Sequence, residues 1–358
     1  MNQHAISESS CYVRNLKHAW SGYRQKNPKT SMSDAAKALN VSEAELVALG
    51  CGANVTRLTA TWLHLFHILE ELGPVRVLTC NDHCVHEKIG LYRIIRFIGH
   101  KGLVQGDNID LRLDLSHWYS SFAVEESNLE DRTRYSLQFF DSDGASVHKI
   151  YLTKDSKLDA YRSLIGAFKS PDQSHYQCVQ ASPQPTERSN EKIDSHRLRK
   201  RLRTLKDPHN LHEVLNEYGV SQIQALRLIG SKFAIQISPD LFGGFLETVA
   251  AIELSVLVSA KSKGVIQIHS GPIENPRYMG CWLNILGDNF SLHVKEEAIA
   301  SLWVVNLPVE NGTLTSMELF DAQGENIAVI SGLSKLGYGV DPLWHNLIAS
   351  LPGVEELV

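Results

Sequence analysis

Alternating apolar and polar residues predict β-strands in both halves of the chain. The segment "IDLRLDLSHW" (109–118) alternates most regularly, with one face made of Ile109, Leu111, Leu113 and Leu115 and the other of Asp110, Arg112 and Asp114. A shorter alternation occurs in "NFSLHV" (289–294). This period of two is typical of a strand with one buried face. The acidic, glycine-containing segments "FFDSDGAS" and "LFDAQGEN" are typical of hairpin turns, so we expect the strands to form antiparallel sheets.

The chain also repeats itself at a spacing of about 180 residues. "SLQFFDSDGASVHKI", which begins at Ser136, returns as "SMELFDAQGENIAVI", which begins at Ser316. Two further pairs keep nearly the same spacing, namely "LNVSEAEL" (39–46) with "YGVSQIQAL" (218–226) and "AYRSLIGAF" (160–168) with "LWHNLIASL" (343–351). A repeat of this length predicts two copies of one α+β unit, each with an antiparallel sheet covered by helices at one side.

The repeat divides the chain into three predicted parts. Residues 1–169 form an N-terminal half and residues 196–358 form a C-terminal half. Between them, residues 170–195 are polar, contain proline and show no hydrophobic period. Such a composition is typical of a linker.

Composition narrows the classes of function. A formal net charge of -5 over 358 residues gives no general attraction to nucleic acids or anionic membranes. The N-terminus lacks a basic segment followed by an apolar one, and no apolar run reaches the ~18 residues of a membrane-spanning helix. The six cysteines form no CxxC pair, which is typical of reduced thiols. We therefore expect a cytoplasmic protein without stable membrane insertion.

The segment "KDPHNLHEVLNEYG" (206–219) contains two candidate metal ligands, His209 and His212. Asp207 is a good N-cap and Pro208 suits the first helical position, so His209 is expected in the first turn of a helix. The helix dipole disfavours an imidazolium there, and a neutral imidazole keeps a nitrogen free to bind a transition metal. The alternative is a pair of solvated histidines at a helix end.

The repeat offers an internal comparison for these histidines. His209 corresponds to about Thr30 and His212 to about Ser33, and neither counterpart can ligate a metal as an imidazole does. One ligand site built asymmetrically on a duplicated scaffold would produce this difference, and so would drift of surface residues. A second cluster, "CNDHCVH" (80–86), has the residue types of a zinc site but lacks the second, separated ligand pair that structural zinc sites use.

Taken together, these motifs make the chain resemble the HemS/HmuS/PhuS family of bacterial cytoplasmic haem-utilisation proteins. The resemblance covers nearly the whole chain and rests on "DAAKALNVSEAEL", "VHEKIG", "GHKGL", "IDLRLDLSHW", "YSLQFFDSDGASVHKIY", "GCWLNILGDNFSLHV" and "SMELFDAQG". It implies an internally duplicated α+β fold with two stacked, large antiparallel β-sheets, each flanked by helices. It also implies one haem in a cleft beside the linker region, and we expect this to be a non-covalent b-type haem because no CxxCH attachment motif exists.

The resemblance also implies roles for three residues. His209 matches the family's proximal iron ligand, and Arg112 matches the arginine that the family places on the opposite haem face. His212 follows His209 by nearly one helical turn and is therefore a candidate alternate ligand. Arg112 lies on the polar face of its predicted strand, where a charge is costly unless it meets a carboxylate, water or a ligand.

Some positions depart from the family pattern. Asp114 stands where the family often has an aromatic residue, so the resemblance implies no aromatic packing on the haem face from this position. Ser331 stands where a tyrosine is expected, and "WVVNLPVENG" has no Lys or Arg to hold a propionate. The remaining candidates for propionate contacts are Lys335, Arg277 and Arg203. His86 is a candidate secondary haem contact.

Three functions remain open on the sequence. As a carrier, the protein would receive haem from the cytoplasmic side of a haem importer and pass it to a haem oxygenase for iron release. As an enzyme, it would open the macrocycle itself. The remote alternative is a nucleic-acid-binding regulator, suggested by the basic run "RLRKRLRTLK" (197–206), in which no aromatic residues are present to stack bases. We favour the carrier.

Overall fold

The chain consists of two compact units. The computed structural model describes residues 3–127, 133–181, 187–205, 211–309, 312–333 and 341–354, and for 3–9, 212 and 309 it describes only the backbone. The first unit comprises Met1–Thr79, Ile89–Pro183 and Ser262–Val265, and the second comprises Cys80–Lys88, Gln184–Lys261 and Ile266–Val358. Each unit thus includes a short segment from the other half of the sequence. The division at 1–169, 170–195 and 196–358 rests on the repeat and stays a prediction.

The helices of the described residues fall into two sets of five. In the first unit they are α1 (Gln3–Lys26), α2 (Met32–Leu39), α3 (Glu43–Ala48), α4 (Trp62–His67) and α5 (Leu158–Phe168). In the second unit they are α6 (Ser195–Arg203), α7 (Leu211–Tyr218), α8 (Gln222–Ile229), α9 (Leu241–Ala251) and α10 (Pro342–Ala349). Over the described ranges, none of them combines the length and the apolar character that crossing a membrane requires.

Eighteen strands in the described residues form two nine-stranded antiparallel sheets. The first nine are β1 (Val55–Arg57), β2 (Val75–Cys80), β3 (Cys84–Gly90), β4 (Ile94–Ile98), β5 (Lys101–Gln105), β6 (Asp110–Asp114), β7 (Ser120–Ser127), β8 (Thr133–Phe140) and β9 (Ser146–Leu152). The others are β10 (Ala234–Ile237), β11 (Ser255–Ser262), β12 (Val265–Pro272), β13 (Arg277–Met279), β14 (Trp282–Leu286), β15 (Phe290–Lys295), β16 (Ser301–Val309), β17 (Gly312–Phe320) and β18 (Asn326–Gly332).

The predicted duplicated α+β fold is confirmed, because the two units repeat the same strand order. In the first unit β1, β7, β8, β9 and β2 lie side by side, and in the second β10, β16, β17, β18 and β11 do the same. A run of three strands accompanies each set, β4–β5–β6 in the first unit and β13–β14–β15 in the second.

The two predicted hairpin turns are confirmed in detail. The turn between β8 and β9 has Gly144 at φ 75°, and the turn between β17 and β18 has Gly324 at φ 80°. This left-handed conformation is free of steric cost only for glycine. In both turns the leading aspartate, Asp141 or Asp321, accepts backbone N–H groups through its carboxylate. The local chemistry of the repeat therefore determines the hairpin register twice.

The short segment that each unit takes from the other half of the sequence, Ser262–Val265 or Cys80–Lys88, is held by hydrogen bonds. In the first unit, the carbonyl of Gly264 accepts a hydrogen bond from the Asp114 amide at 2.8 Å, and Ser262 Oγ donates to the Val147 carbonyl at 2.6 Å. In the second unit, β3 pairs with β15 from Cys84 opposite Val294 to Lys88 opposite Phe290. Both segments are therefore integral to the unit that contains them.

Candidate functional site

Arg112 lies on one face of three paired strands in the first unit. Leu103 of β5 stands opposite Arg112 of β6, and Arg96 of β4 stands opposite Leu103, so these three side chains form one cross-strand row. We call this surface the β4–β6 face, and define it by Ile94, Arg96, Ile98, Lys101, Leu103, Gln105, Asp110, Arg112 and Asp114. The alternation predicted for residues 109–115 is confirmed, because Ile109, Leu111, Leu113 and Leu115 are buried in the core of this unit.

The β4–β6 face combines exposed apolar side chains with cations. Ile98 is 88% exposed and Ile94 is 47% exposed, and Leu103 lies half-buried between the two arginines of the row. Arg96 is exposed and makes no hydrogen bond or ion pair with the described part of the chain. Ile94 and Ile98 flank Arg96 along β4, and apolar side chains grouped with cations in this way mark a candidate binding surface.

Arg112 is anchored on one side and open on the other. Its Nη1 donates to Asp110 Oδ1 and to the Leu111 carbonyl at 3.3 Å, and its side chain is 25% exposed. A guanidinium has five N–H groups. With respect to the described residues, Nε and Nη2 make no hydrogen bond, so these groups remain able to donate to a ligand over the face.

Asp114, where the resemblance led us to expect an aromatic residue, is hydrogen-bonded to its own neighbours. It accepts from Lys101 Nζ at 2.8 Å and from the Ser116 amide at 3.1 Å. Burial opposes ionisation, but the hydrogen bonds from Lys101 and Ser116 outweigh it and lower the pKa of Asp114 to about 2. Asp114 is therefore an ionised structural group and offers no flat surface to a ring.

The side chains of the two predicted iron ligands lie outside the described residues. His209, with Asp207 and Pro208, lies in 206–210, outside the described residues. The backbone of His212 belongs to α7, which begins at Leu211, but its side chain is also outside them. The roles of both histidines therefore stay predictions.

The three predicted propionate contacts differ in what surrounds them. Arg203 lies over the ring of Phe233, with 5.3 Å from Cζ to the ring centroid. Arg277 is exposed on β13. Lys335 lies in 334–340, outside the described residues.

The basic run at 197–206 is mostly the polar face of α6. Arg199 donates to the Leu228 carbonyl at 2.9 and 3.1 Å, and Arg201 lies 3.4 Å from a carboxylate oxygen of Glu217. Leu198 and Leu202 are buried on the opposite side of the helix. Several of these cations thus stabilise the helical layer, which weakens the case for a nucleic-acid surface.

His86 belongs to an enclosed polar cluster in the second unit. It is fully buried, and in the described structure neither ring nitrogen has a hydrogen-bond partner. The ring of His269 stacks on Phe290 at 3.7 Å, and its Nδ1 lies 3.1 Å from Lys88 Nζ. Burial, followed by the neighbouring charges, lowers the pKa of His86 well below its usual value and that of His269 to about 4. His86 therefore presents no nitrogen to a ligand on the surface.

Sequence reasoning missed Lys88 and His269 as members of this cluster. The signal for them was present in the repeat, because "CVHEKIG" (84–90) and "VIQIHSG" (265–271) align residue by residue. Lys88 and His269 occupy equivalent positions in these two strands and contact each other.

The comparisons with known sequences match proteins of haemin transport and degradation. A family model described as "Haemin-degrading HemS.ChuX domain" matches residues 40–168 and 219–351. The hemin transport protein HemS of Yersinia enterocolitica is 31% identical over 329 residues, which cover 91% of this chain and 94% of that protein.

Solved structures agree with the sequence comparisons. Holo-PhuS, a haem-binding protein from Pseudomonas aeruginosa, is similar with a TM-score of 0.90 and 36% identity, covering 95% of this chain and 99% of that one. The haem-degrading enzyme ChuS of Escherichia coli O157:H7 is similar with a TM-score of 0.86 and 28% identity, covering 95% and 99%.

Proposed function

Because the chain belongs to the haemin-degrading HemS.ChuX domain family, we propose that it binds haem as a cytoplasmic carrier, which receives imported haem and delivers it for iron release. The similar proteins support both carriage and breakdown, since HemS is named for hemin transport and ChuS for haem degradation. Haem is the cargo in the first case and the substrate in the second.

The observation that carries the proposal is the row Arg96–Leu103–Arg112 on the β4–β6 face. Haem is a flat, largely apolar macrocycle with two carboxylates, and it needs an exposed apolar surface with cations placed beside it. Ile94, Ile98 and Leu103 supply such a surface, and the two arginines supply the cations. The residues present therefore fit the cargo.

Arg112 is the proposed donor on one side of the ring. Its guanidinium keeps its charge at all ordinary pH values, and Asp110 holds it in place through Nη1. The remaining N–H groups can donate charge-assisted hydrogen bonds to an anion on that side of the haem. His209 is the proposed iron ligand on the opposite side, with His212 as its reserve.

Arg96 is the proposed propionate contact on this face. Its guanidinium pairs with no carboxylate of the described chain, whereas Arg112 is paired with Asp110. Arginine binds carboxylates through two parallel hydrogen bonds, so an exposed and uncommitted arginine beside an apolar surface suits a propionate.

The acidic residues of the face favour carriage over breakdown. Ring opening by the protein would be helped by a group that moves protons near the haem. The two carboxylates of the face, Asp110 and Asp114, are each held by a cation, Arg112 and Lys101. The low pKa of Asp114 keeps it ionised and unsuited to act as a general acid, and Asp110 is engaged by the Arg112 guanidinium.

Haemin titration followed at the Soret band tests binding. We expect saturation at about one haem per chain and weaker binding in the double variant Arg96→Ala with Arg112→Ala. Arg134→Ala is the matched control, because Arg134, like Arg112, is a surface arginine in an ion pair, here with Glu126 of the neighbouring strand. No spectral shift, or saturation clearly above two haems per chain, would contradict the proposal.

A second measurement separates carriage from breakdown. With a reductant and oxygen, a carrier should keep its Soret band and transfer its haem to apomyoglobin. Steady loss of the band with release of iron, in the presence of catalase, would establish breakdown by the protein itself.

A further inference from the structure

The linker segment 173–180 docks on the first unit as an extended peptide. Its odd-numbered residues, Gln173, His175, Gln177 and Val179, are partly or fully buried, whereas the even-numbered ones are exposed. Gln173 binds the backbone of Arg57 through its amide, accepting from the N–H at 3.0 Å and donating to the carbonyl at 2.9 Å. Alternating side chains and main-chain hydrogen bonds are the usual way in which a sheet edge binds an extended peptide.

The rest of the segment follows a groove along β1 and the β8–β9 turn. The Arg57 guanidinium donates to the carbonyls of Ser174 and Tyr176 at 3.1 and 2.9 Å, and lies 4.9 Å from the ring centroid of Phe122. At the far end, the Gln180 amide donates to the Ser142 carbonyl at 2.7 Å. We call this surface, formed by Arg57, Phe122, Ser142 and Gly144, the first groove.

The repeat builds the same groove in the second unit. Gln236 stands opposite Trp303, as Arg57 stands opposite Phe122, and Ala322 and Gly324 occupy the turn positions of Ser142 and Gly144. These residues, with Ser301, Ile223 and the ion pair of Arg227 and Glu187, line a cavity of about 400 Å³, which we call the second groove. Glu187 reaches one side of this groove and accepts from Ser221 Oγ at 3.0 Å, but among the described residues no extended segment follows β10 as 173–180 follows β1.

We propose that the second groove binds an extended, glutamine-bearing peptide segment of a partner protein. The proposal rests on the first unit, where the equivalent groove is filled by the extended segment 173–180 with Gln173 and Gln177. In the first groove the peptide binds two backbone sites, the N–H and C=O of Arg57 and the carbonyl of Ser142. The second groove has the equivalent backbone sites at Gln236 and Ala322. Gln236 replaces Arg57, so its amide would pair with an amide of the peptide. Haem plays no part in this interaction.

A labelled synthetic peptide of residues 172–180, with Cys178→Ser to prevent oxidation, tests the proposal by fluorescence anisotropy with the full chain. We expect saturable binding with half-saturation below about 1 mM. Ala300→Trp should weaken it roughly tenfold or more, because Ala300 lines the groove and a large side chain would fill it. Ala251→Trp, at an exposed alanine near the end of α9, is the matched control.

Two further controls keep the outcome clear. A peptide with Gln173→Leu and Gln177→Leu should bind much more weakly, and the thermal midpoint of both tryptophan variants should equal that of the parent. Absence of saturable binding would overturn the proposal, as would equal binding of the leucine peptide. Insensitivity to Ala300→Trp, or equal weakening by Ala251→Trp, would place the peptide elsewhere and overturn it too.

Discussion

The β4–β6 face of the first unit and the equivalent β13–β15 face of the second place different side chains on the same scaffold, and we propose that only the first binds haem. The row Arg96–Leu103–Arg112 corresponds to Arg277–Asn284–His293, at a constant spacing of 181 residues. In the second unit His293 Nδ1 is hydrogen-bonded to Asn284 Oδ1, and Asn284 Nδ2 donates to the Trp282 carbonyl at 2.8 Å.

The difference lies in the central residue of the row. Asn284 hydrogen-bonds to His293 and to the Trp282 carbonyl, so these polar groups of the second face are already paired within the protein. The Leu103 side chain cannot form a hydrogen bond, so the neighbouring arginines keep N–H groups available to a ligand. A row of polar side chains that hydrogen-bond to one another rigidifies a sheet. A row with an apolar centre and an arginine on each side suits an amphiphilic anion.

Removing both histidines near the start of α7 is the strongest test of this comparison. The β13–β15 face has an imidazole of its own, His293, and it would supply the iron ligand if haem bound there. We expect His209→Ala with His212→Ala to abolish the imidazole-type spectrum, and His209→Ala alone to weaken binding while His212 takes over. Absorption, magnetic circular dichroism and haem capture by apomyoglobin measure this. A persisting imidazole signature in the double variant would contradict the assignment.

Copying the central residue of the first face into the second should destabilise the fold. Asn284→Leu leaves His293 without its partner, and an unsatisfied polar group that is largely buried costs about 1–3 kcal/mol of unfolding free energy. Urea unfolding monitored by circular dichroism measures it. Leu103→Asn is the reciprocal control and should change stability less, at about 0.5–1 kcal/mol, since Leu103 is half-buried and its replacement deprives no neighbour of a hydrogen-bond partner. Equal changes in unfolding free energy would show that the two rows do not differ in how their side chains are hydrogen-bonded.

Arg112→Ala should leave haem bound but alter its acid–base behaviour. A fixed cation stabilises the anionic, alkaline form of the ferric complex, so its removal should raise the pH of the acid-to-alkaline transition. A charge-assisted hydrogen bond of about 1.5 kcal/mol corresponds to about one pH unit. Spectrophotometric titration measures the shift, and His293→Ala should leave it unchanged. If Arg112→Ala gives the parental transition, Arg112 does not face the iron.

The smallest expected effect separates Arg96 from its counterpart Arg277. An exposed arginine–carboxylate pair contributes about 0.2–1 kcal/mol, so Arg96→Ala should weaken haem binding by a factor of roughly 1.4 to 5. Arg277→Ala should not change it. Dissociation constants at low ionic strength make the contrast largest, because salt screens exposed charges. Equal losses in the two variants would mean that the faces do not differ as proposed.

Much of the fold could be predicted from the chain because its signals are local. The strand alternation at 109–115 and the two hairpin turns that contain aspartate and glycine each depend on residues within a few positions of one another. The repeat then doubled the weight of each signal. Arg112 was placed on the correct face for the same reason, since period two alone determines it.

The composition of the face was harder to predict because cross-strand register is not a local property. Arg96 joins the row of Arg112 only through two successive pairings, and a shift of one residue in either would put it on the buried face. The sequence suggested Arg277 as a propionate contact but did not single out Arg96, although the pairings place the two at equivalent positions. The burial of His86 was missed for a related reason, because "VHEKIG" does not reveal that β15 pairs beside it.

The segment Ser262–Val265, which completes the first unit, has a consequence for biosynthesis. The ribosome finishes Pro183 roughly 80 residues before it finishes Val265, a delay of roughly 4 to 16 s at about 5–20 residues per second. Until then the nascent first unit lacks the Gly264 carbonyl that accepts from Asp114, next to β6. The strand that carries Arg112 is thus among the last parts of its unit to be secured, and the emerging chain would keep that edge within reach of a chaperone until the second unit is already being made.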